Sequence, residues 1–350
     1  MNAHADHPLA EDLIHVLDHT RDLWDGLRDA TIFITGATGF FGNWLLESFL
    51  WANDTLSLNA KVVALSRNPE TFRKRAPRLT SHPALLLHRG DQIDFDFPVG
   101  HFDAVVHAAV EYGSPLQTFE RNLSGTRRVL EFSARAGVRR ILFTSSGSVY
   151  GPQPVNLEFL PEDYPGSPDL ADAKNAYGLS KRASEHLGHL QAQEHGMAFT
   201  VARGFAFLGP HLALDQGSAI GNFIGDALAG RPIQVNGDGT PLRSYLYGAD
   251  LAIWLWTILL RGTPGCVYNV GGSEAFSIAQ IALMVRDILA PGAEVRTPFN
   301  TEPTHHPSRY LPDVTRARED LGLETWIPLE EAIRRTGRWA ILPTPDRIGR

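Results

Sequence analysis

Tyr177 and Lys181 are the two residues of this chain whose types and spacing are best suited to chemistry, and they lie in the stretch NAYGLSKRASEHL. Positions i and i+4 of a helix share one face, so both side chains project together. An ammonium near a phenol favours the phenolate and brings the tyrosine pKa from about 10 toward working pH, as a general base requires. The spacing alone fits two exposed helix residues equally well, so the surrounding elements decide between these interpretations.

Three glycines, Gly36, Gly39 and Gly42, follow the strand-like segment TIFIT with the spacing G-x-x-G-x-x-G. This spacing suits a tight turn, a close approach of the backbone to a pyrophosphate and a helix whose N-terminus faces the anion. The helical run begins with Phe40 and Phe41, which places both at the same turn. A glycine triplet can also form a turn without a ligand. Its position at the first strand of a βαβ series favours a dinucleotide site.

Apolar strand-like segments alternate with helical ones over residues 31–205. This alternation predicts an α/β fold, a Rossmann-type doubly wound parallel sheet with helices on both faces. We expect residues 1–30 to be a helical extension, 31–205 the NAD(P)-binding domain and 206–350 mainly a smaller substrate lobe, with a segment near 265–285 returning to the first domain. The lobe is expected to lie over the carboxyl ends of the strands, where open α/β sheets bind ligands.

The composition favours a small-molecule ligand. The chain has 350 residues and a formal net charge of −7, with no basic block, which argues against nucleic acid or an anionic membrane as partner. Its only cysteine, Cys266, cannot form an intrachain disulfide, and the N-terminus does not read as a signal peptide, so a cytoplasmic location is expected. The longest apolar run, residues 251–260, is about half of the ~20 residues that span a bilayer, and it predicts a buried helix.

The turn TGATGFFG, the strand end LFTSSGSVYG and the YGLSK stretch resemble the extended short-chain dehydrogenase/reductase family, whose members mostly act on nucleotide-activated sugars. The resemblance extends from about Thr31 to about Gly322. It implies that Ser146, Tyr177 and Lys181 are the catalytic residues. In the family the serine hydrogen-bonds the reacting sugar oxygen, the tyrosine is the base, and the lysine also holds the cofactor ribose.

The resemblance also implies cofactor contacts beyond the glycine turn. Asp91 in RGDQIDF corresponds to the family's adenine contact, and Asn122 matches the asparagine of a helix that follows the nicotinamide segment. Ala108 and Ala109 in HAAV belong to that segment.

Ser66 and Arg67 end the second predicted strand, where the choice between NAD and NADP is made. An acidic residue here would accept hydrogen bonds from the adenosine ribose of NAD, whereas an arginine can pair with the 2′-phosphate of NADP. The sequence therefore leans toward NADP, although an exposed arginine after a strand is common.

The same resemblance implies which residues contact the substrate. Arg243 matches an arginine that meets the substrate diphosphate, Asn222 lies where a side chain often approaches it, and Arg309 is a second phosphate candidate. Glu111, in the loop after HAAV, is a candidate contact to the sugar. Surface ion pairs or solvated side chains are the alternatives for all of these charged residues. Ala206 replaces an asparagine that the family usually places at the diphosphate, so the substrate contact must differ there.

Gly147 and Ser148 narrow the reaction. Dehydrating members of the family carry an Asp-Glu pair at these positions, and decarboxylating members carry a glutamate at the second. Without these acids, redox at carbon 4 of a nucleotide sugar remains: a 4-epimerase, or alternatively an NADPH-dependent 4-keto-sugar reductase. A non-sugar carbonyl reductase is disfavoured by Arg243, and a non-catalytic NAD(P)-binding protein by the retained triad.

No metal site is expected, because His186 and His189 have no convincing third ligand and the adjacent His305 and His306 cannot easily converge on one ion. The family often dimerises through two helices. The resemblance therefore predicts a homodimer formed by the helices near residues 115–137 and 174–195.

Overall fold

The computed structural model describes residues 7–215, 217–298 and 307–342. Short 3-10 turns lie at Arg21–Leu27, Gly147–Tyr150 and Ala173–Asn175. The strands are β1 (Thr31–Thr35), β2 (Lys61–Ser66), β3 (Leu85–Arg89), β4 (Ala104–His107), β5 (Arg140–Ser146), β6 (Ala198–Gly204), β7 (Phe207–Leu208), β8 (Ile233–Gln234), β9 (Leu242–Arg243), β10 (Leu246–Tyr247), β11 (Val267–Val270), β12 (Phe276–Ser277), β13 (Val295–Arg296) and β14 (Arg309–Tyr310). The α-helices are α1 (Ala10–Thr20), α2 (Phe40–Leu56), α3 (Pro69–Arg75), α4 (Pro77–Thr80), α5 (Pro115–Arg135), α6 (Ala176–His195), α7 (Ala219–Leu228), α8 (Gly248–Arg261), α9 (Ile278–Leu289), α10 (Thr315–Leu321) and α11 (Leu329–Ala340).

Seven parallel strands form one sheet in the order β11-β6-β5-β4-β1-β2-β3. The strand interiors are apolar and buried, as in β1 and β4, which is typical of parallel sheets covered by helices on both faces. The chain builds outward from β1 to β3 and then returns to β4 on the other side of β1. The carboxyl ends of β1 and β4 therefore form the switch point at which such sheets bind ligands. The predicted doubly wound fold is confirmed.

Two helical layers cover the sheet. On one face α5 and α6 pack together over an aromatic cluster that includes Phe33, Phe132 and Phe199. On the other face α2 and α8 pack against each other, and Trp44 and Trp256 are completely buried there. These layers hold two helices in place: α2, which follows the glycine turn, and α6, which carries Tyr177 and Lys181.

The apolar run 251–260 lies in α8, where every residue from Gly248 to Leu259 is buried. The indole nitrogen of Trp256 donates to Ser48 Oγ on α2 (2.9 Å), so even its polar atom is satisfied inside the protein. Across the described ranges, no helix combines the length and the apolar character that crossing a membrane requires.

The N-terminal segment forms α1, which packs on α8 and α2. Asp12 of α1 is buried, accepts from the hydroxyl of Tyr247 (2.8 Å) and pairs with Arg335 of α11 (2.6 Å). Burial raises the pKa of Asp12, and the Arg335 guanidinium opposes that rise. The Asp12 carboxylate therefore links α1 to the end of β10 and to α11.

We therefore expect Arg335→Met to lower the free energy of unfolding by roughly 3 kcal/mol, because it leaves the Asp12 charge buried without its cation. Arg338→Met is the matched control on the same helix. The Arg338 side chain is 60% exposed, so its ion pairs should be worth less than about 0.5 kcal/mol. Urea unfolding of the three proteins measures the difference, and equal midpoints for both variants would contradict this account of α1 anchoring.

Candidate active site

The glycine turn brings the backbone of β1 against the loop that follows β4. Gly36 has a φ of 70°, and a Cβ there would lie 2.4 Å from the carbonyl oxygen of Ala108. A Cβ on Gly42 would lie 2.3 Å from Ala37 Cα, so α2 can begin this close to the turn only with glycine. Gly39 differs, because its nearest protein atom would be 3.4 Å away. The packing of the backbone thus requires glycine at positions 36 and 42. At position 39 the protein itself would accommodate a side chain, so Gly39 leaves space for a ligand beside the N-terminus of α2.

Phe40 and Phe41 begin α2 and are half-buried. The Phe41 ring packs edge-on against Phe207 of β7, with ring centres 4.9 Å apart. This contact holds the start of the helix against the strand that leads into the substrate lobe.

A cavity of about 220 Å³ opens in front of the turn. Predicted cofactor residues line it at the carboxyl ends of three different strands: Gly36 and Gly39 after β1, Arg67 after β2, and Ala108 and Ala109 after β4. The switch point of the sheet is therefore also the place where the predicted residues converge.

Gln92 lines the same cavity, next to Asp91, and was not singled out from the sequence. Its side chain is buried, and neither Oε1 nor Nε2 has a hydrogen-bond partner among the described residues. A buried amide with both ends unpaired is costly unless a ligand satisfies it. The glycine turn and the unpaired Gln92 amide together suit a dinucleotide. Its pyrophosphate would lie at the turn and its base toward Gln92.

Four charged side chains form a chain of ion pairs at the mouth of the cavity. Arg67 Nη1 lies 3.0 Å from a carboxylate oxygen of Glu111, Arg121 Nε lies 3.7 Å from the other, and Arg121 Nη2 lies 2.8 Å from Asp91. Glu111 is thus placed at the cofactor cleft, and its predicted contact with the sugar stays a prediction. Arg67 remains 65% exposed, which leaves it free to exchange partners.

Asn122 of α5 fastens the loop that follows β4. Its amide nitrogen donates to the carbonyl of Glu111 (2.9 Å), and its Oδ1 accepts from the backbone N–H of Glu111 (3.0 Å). His107 supports the same loop from below, with Thr35 and Thr126 on its two ring nitrogens at 2.7 and 3.1 Å. Burial lowers the pKa of His107 to about 3, so this histidine is neutral and structural.

The three predicted catalytic residues lie around the end of β5. Ser146 is the last residue of β5, and Tyr177 and Lys181 face it from α6. Ser146 lies close enough to the phenol of Tyr177 to lower its pKa, against the effect of burial. The ammonium of Lys181 is buried and donates to the carbonyl of Thr144 (2.9 Å), within β5. Burial lowers the pKa of Lys181 to about 8, and Glu185, one turn further along α6, opposes this change.

The pKa of Tyr177 differs from the sequence expectation. Burial raises it, the neighbouring phenols Tyr112 and Tyr310 raise it further, and the hydrogen bond with Ser146 lowers it. The physical reason is that a phenolate loses hydration when it is enclosed. The residues around Tyr177 therefore favour the neutral form of its phenol, and its role as the base stays a prediction.

Tyr310 reaches the catalytic centre from the substrate lobe. A three-stranded sheet, β12-β9-β14, places it beside Arg243 in register, and its hydroxyl lies 3.4 Å from Ser146 Oγ. Its ring packs on Phe205, with centres 4.6 Å apart. A Cβ on Gly147 would lie 2.8 Å from the Phe205 ring and 2.9 Å from the Tyr310 hydroxyl, so these two aromatics fill the space beside Gly147.

Arg243, a predicted diphosphate ligand, has its guanidinium carbon 5.9 Å from the middle of the Tyr310 ring. Arg309, on the adjacent strand, donates to the carbonyls of Val155 and Leu157 (3.4 and 3.2 Å), so it also fastens a loop. Asn222 is on α7 and half-buried. Their contacts with substrate stay predictions.

His305 and His306 lie outside the described residues. In the described ranges, no three His, Cys, Asp or Glu side chains are grouped so as to hold a metal ion.

Comparison with known proteins agrees with this geometry. The profile of the NAD dependent epimerase/dehydratase family matches residues 32–271. The chain belongs to this family. UDP-glucuronic acid decarboxylase 5 of Arabidopsis thaliana is 30% identical over 86% of either chain.

Solved structures of other proteins share the fold. UDP-glucuronic acid 4-epimerase of Bacillus cereus, in complex with UDP-4-deoxy-4-fluoro-glucuronic acid and NAD, has a TM-score of 0.75 at 24% identity and covers 88% of this chain and 98% of that one. UDP-glucose 4-epimerase of Thermotoga maritima, with UDP-glucose, has a TM-score of 0.73 at 22% identity and covers 89% and 98%. These structures establish the architecture, and the predicted family and its dinucleotide cofactor are confirmed. The lean to NADP over NAD stays a prediction.

Several residues of the site gave no sequence signal of their own. Tyr310 lies on a two-residue strand, Phe205 directly precedes the predicted departure at Ala206, and Tyr112 follows Glu111 in a loop. Gln92 follows Asp91, a predicted cofactor contact, and this position was the only signal for it in the sequence.

The contrast between the glycines gives a test of the turn. We expect Gly39→Ala to keep a melting temperature near that of the wild type, because the protein leaves room for the methyl group, and to weaken NAD binding at least about tenfold, because the methyl group occupies the approach of the pyrophosphate. Calorimetric titration with NAD measures this. Gly26→Ala, where a Cβ meets nothing within 4 Å, is the control. Equal affinity in both variants would show that the pyrophosphate does not approach the turn.

Proposed function

We propose that this family member is a nucleotide-sugar 4-epimerase that works by redox at carbon 4 of the sugar. The observation that carries the proposal is the chemistry around Ser146 and Tyr177: the side-chain groups that hydrogen-bond Ser146 in the described structure are the hydroxyls of Ser148 and Tyr310, and the ring of Tyr112 packs on that of Tyr177. An arrangement of this kind can orient and deprotonate a sugar hydroxyl, but it offers no carboxylic acid to expel water or to assist loss of carbon dioxide.

Neither of the two positions after Ser146 supplies such an acid. A Cβ on Gly147 would meet the Phe205 ring and the Tyr310 hydroxyl, and position 148 carries a hydroxyl that is hydrogen-bonded to Ser146 at 3.1 Å. These are the two positions at which dehydrating and decarboxylating members of the family carry their acids. The similarity to a UDP-glucuronic acid decarboxylase therefore supports the substrate class, a nucleotide sugar, more strongly than it supports decarboxylation.

The residues of the chain would act on protons and orientation. Ser146 holds the 4-oxygen of the sugar, and Tyr177 as phenolate removes the proton from that oxygen while carbon 4 becomes a ketone. After the ketone has turned over, Tyr177 returns the proton to the same oxygen, so the net charge and redox state of the sugar are unchanged. The cleft lined by Gly36, Gly39 and Ala108 would hold NAD, which would supply reversible hydride uptake and the positive charge of its oxidised ring.

A 4-keto-sugar reductase is the second candidate, and Arg67 is the observation in its favour. Arg67 lines the cofactor cleft at the end of β2, where it is exposed enough to reach a 2′-phosphate. Identifying the dinucleotide released from the denatured protein separates the two. Retained NAD supports the epimerase, whereas an empty protein that consumes NADPH with a 4-keto nucleotide sugar supports the reductase.

For the epimerase we expect the purified protein, loaded with NAD, to interconvert a pair of UDP-sugars that differ at carbon 4, with UDP-glucose, UDP-glucuronate and UDP-N-acetylglucosamine as starting probes. Tyr177→Phe should lower the turnover about 10²-fold to 10⁴-fold, since it removes the general base. Tyr164→Phe is the control, because it keeps the ring that packs on Tyr150, with ring centres 6.3 Å apart, and Tyr164 is not among the groups that affect Tyr177. Wild-type turnover in Tyr177→Phe, or carbon dioxide release from UDP-glucuronate, would refute the proposal.

A further inference from the structure

Arg67 and Glu111 face each other across the glycine turn. Arg67 follows β2 and Glu111 lies beyond β4, and these two strands pair with β1 on its opposite sides. The two side chains nevertheless meet, because Arg67 Nη1 lies 3.0 Å from one carboxylate oxygen of Glu111 and 3.2 Å from the other. Both residues line the cavity in front of the turn. The ion pair therefore spans the cleft in front of Gly36 and Gly39.

The position of Glu111 is fixed more firmly than that of Arg67. Its backbone N–H and carbonyl are both hydrogen-bonded to Asn122, at 3.0 and 2.9 Å. Its side chain is only 14% exposed, compared with 65% for Arg67. Charges in partly buried positions are screened less by salt than exposed ones. The carboxylate is thus the fixed member of the pair, and Arg67 is the member that has to move if the pair opens.

The charges at this end of the cleft already balance. Arg121 lies beside the same carboxylate, with its Nε 3.7 Å from Oε2 of Glu111, and its Nη2 is bonded to Asp91 at 2.8 Å. Two guanidinium groups thus face two carboxylates. A 2′-phosphate would add roughly two negative charges here, and it could reach Arg67 only by competing with Glu111. The ribose hydroxyls of NAD, by contrast, can donate to a carboxylate.

We propose that Glu111 makes this cleft select NAD over NADP: its carboxylate occupies Arg67 and supplies the negative charge that the end of β2 lacks. The acid of an NAD site in this fold usually follows the second strand, where this chain has the buried, uncharged Ser66. Arg67 taken alone favours NADP, and the ion pair reverses that preference. The inference goes beyond the proposed function, because the choice of dinucleotide can be measured without any turnover.

The test measures which dinucleotide the protein holds when both are offered. The purified protein is incubated with a large, equimolar excess of NAD and NADP until exchange is complete. It is then desalted and denatured, and both dinucleotides are quantified by chromatography. The wild type should hold at least about ten times more NAD than NADP. Glu111→Gln keeps the shape of the side chain and should shift this ratio about tenfold toward NADP, because it removes a like charge near the phosphate and releases Arg67.

A second substitution identifies the cation that binds the phosphate. Arg67→Gln alone should leave the ratio within about threefold of the wild type, because Glu111 already occupies this exposed arginine. Arg67→Gln combined with Glu111→Gln should abolish the shift toward NADP. Glu120→Gln removes the same charge from an exposed position of α5, outside the cavity lining, and is the control. It should keep the wild-type ratio.

Three results would each overturn the role of Glu111: a wild type that holds as much NADP as NAD, an unchanged ratio in Glu111→Gln, or a shift that persists in the double variant. The proposed epimerase fails on different observations, namely wild-type turnover in Tyr177→Phe or release of carbon dioxide from UDP-glucuronate. Neither of those results alters the ratio of the bound dinucleotides, so the two failures are distinguishable.

Discussion

The parallel pairing of β1, β4 and β5 is the constraint on which the whole site depends. Strands that pair in this way end at the same edge of the sheet, and the registers of Thr35 with His107 and of His107 with Phe143 fix how far each strand extends. The glycine turn, the loop after β4 and Ser146 must then lie next to one another. The close approach of Gly36 to Ala108 follows from this pairing, because the loop leaving β4 has to pass directly over the turn leaving β1.

The catalytic centre is completed from outside the sheet. The lobe sheet of β9, β12 and β14 brings Tyr310 onto Ser146, and α5 brings Tyr112 onto Tyr177. Enclosure has an electrostatic cost, since burial removes the hydration that a phenolate at Tyr177 would need and so raises the pKa of this phenol. A positive charge placed beside the phenol would offset this cost.

The sequence predicted the parts of this structure that are encoded locally. The strand–turn–helix pattern around Gly36 and the spacing of Tyr177 and Lys181 on one face of a helix depend on residues a few positions apart, and both are present as expected. The contact of Lys181 with Thr144, rather than with the phenol, could not be read from that spacing, because it depends on how deeply α6 packs on the sheet. Tyr310 was equally inaccessible, since a two-residue strand has no periodicity and its partner β9 lies more than sixty residues away.

The overall sequence identity and the type of reaction depend on different residues of the chain. The 30% identity with a decarboxylase extends over 86% of the sequence, and the family profile matches residues 32–271, which contain the glycine turn and most of the seven-stranded sheet. The reaction depends on the few side chains within reach of carbon 4. A side chain at position 147 would have to displace the ring of Phe205 and the hydroxyl of Tyr310, so the absence of an acid there is linked to the aromatic packing of the lobe against β5. Position 148 differs, because its serine hydroxyl is hydrogen-bonded to Ser146, and this pair is the feature of the site on which the proposed reaction depends.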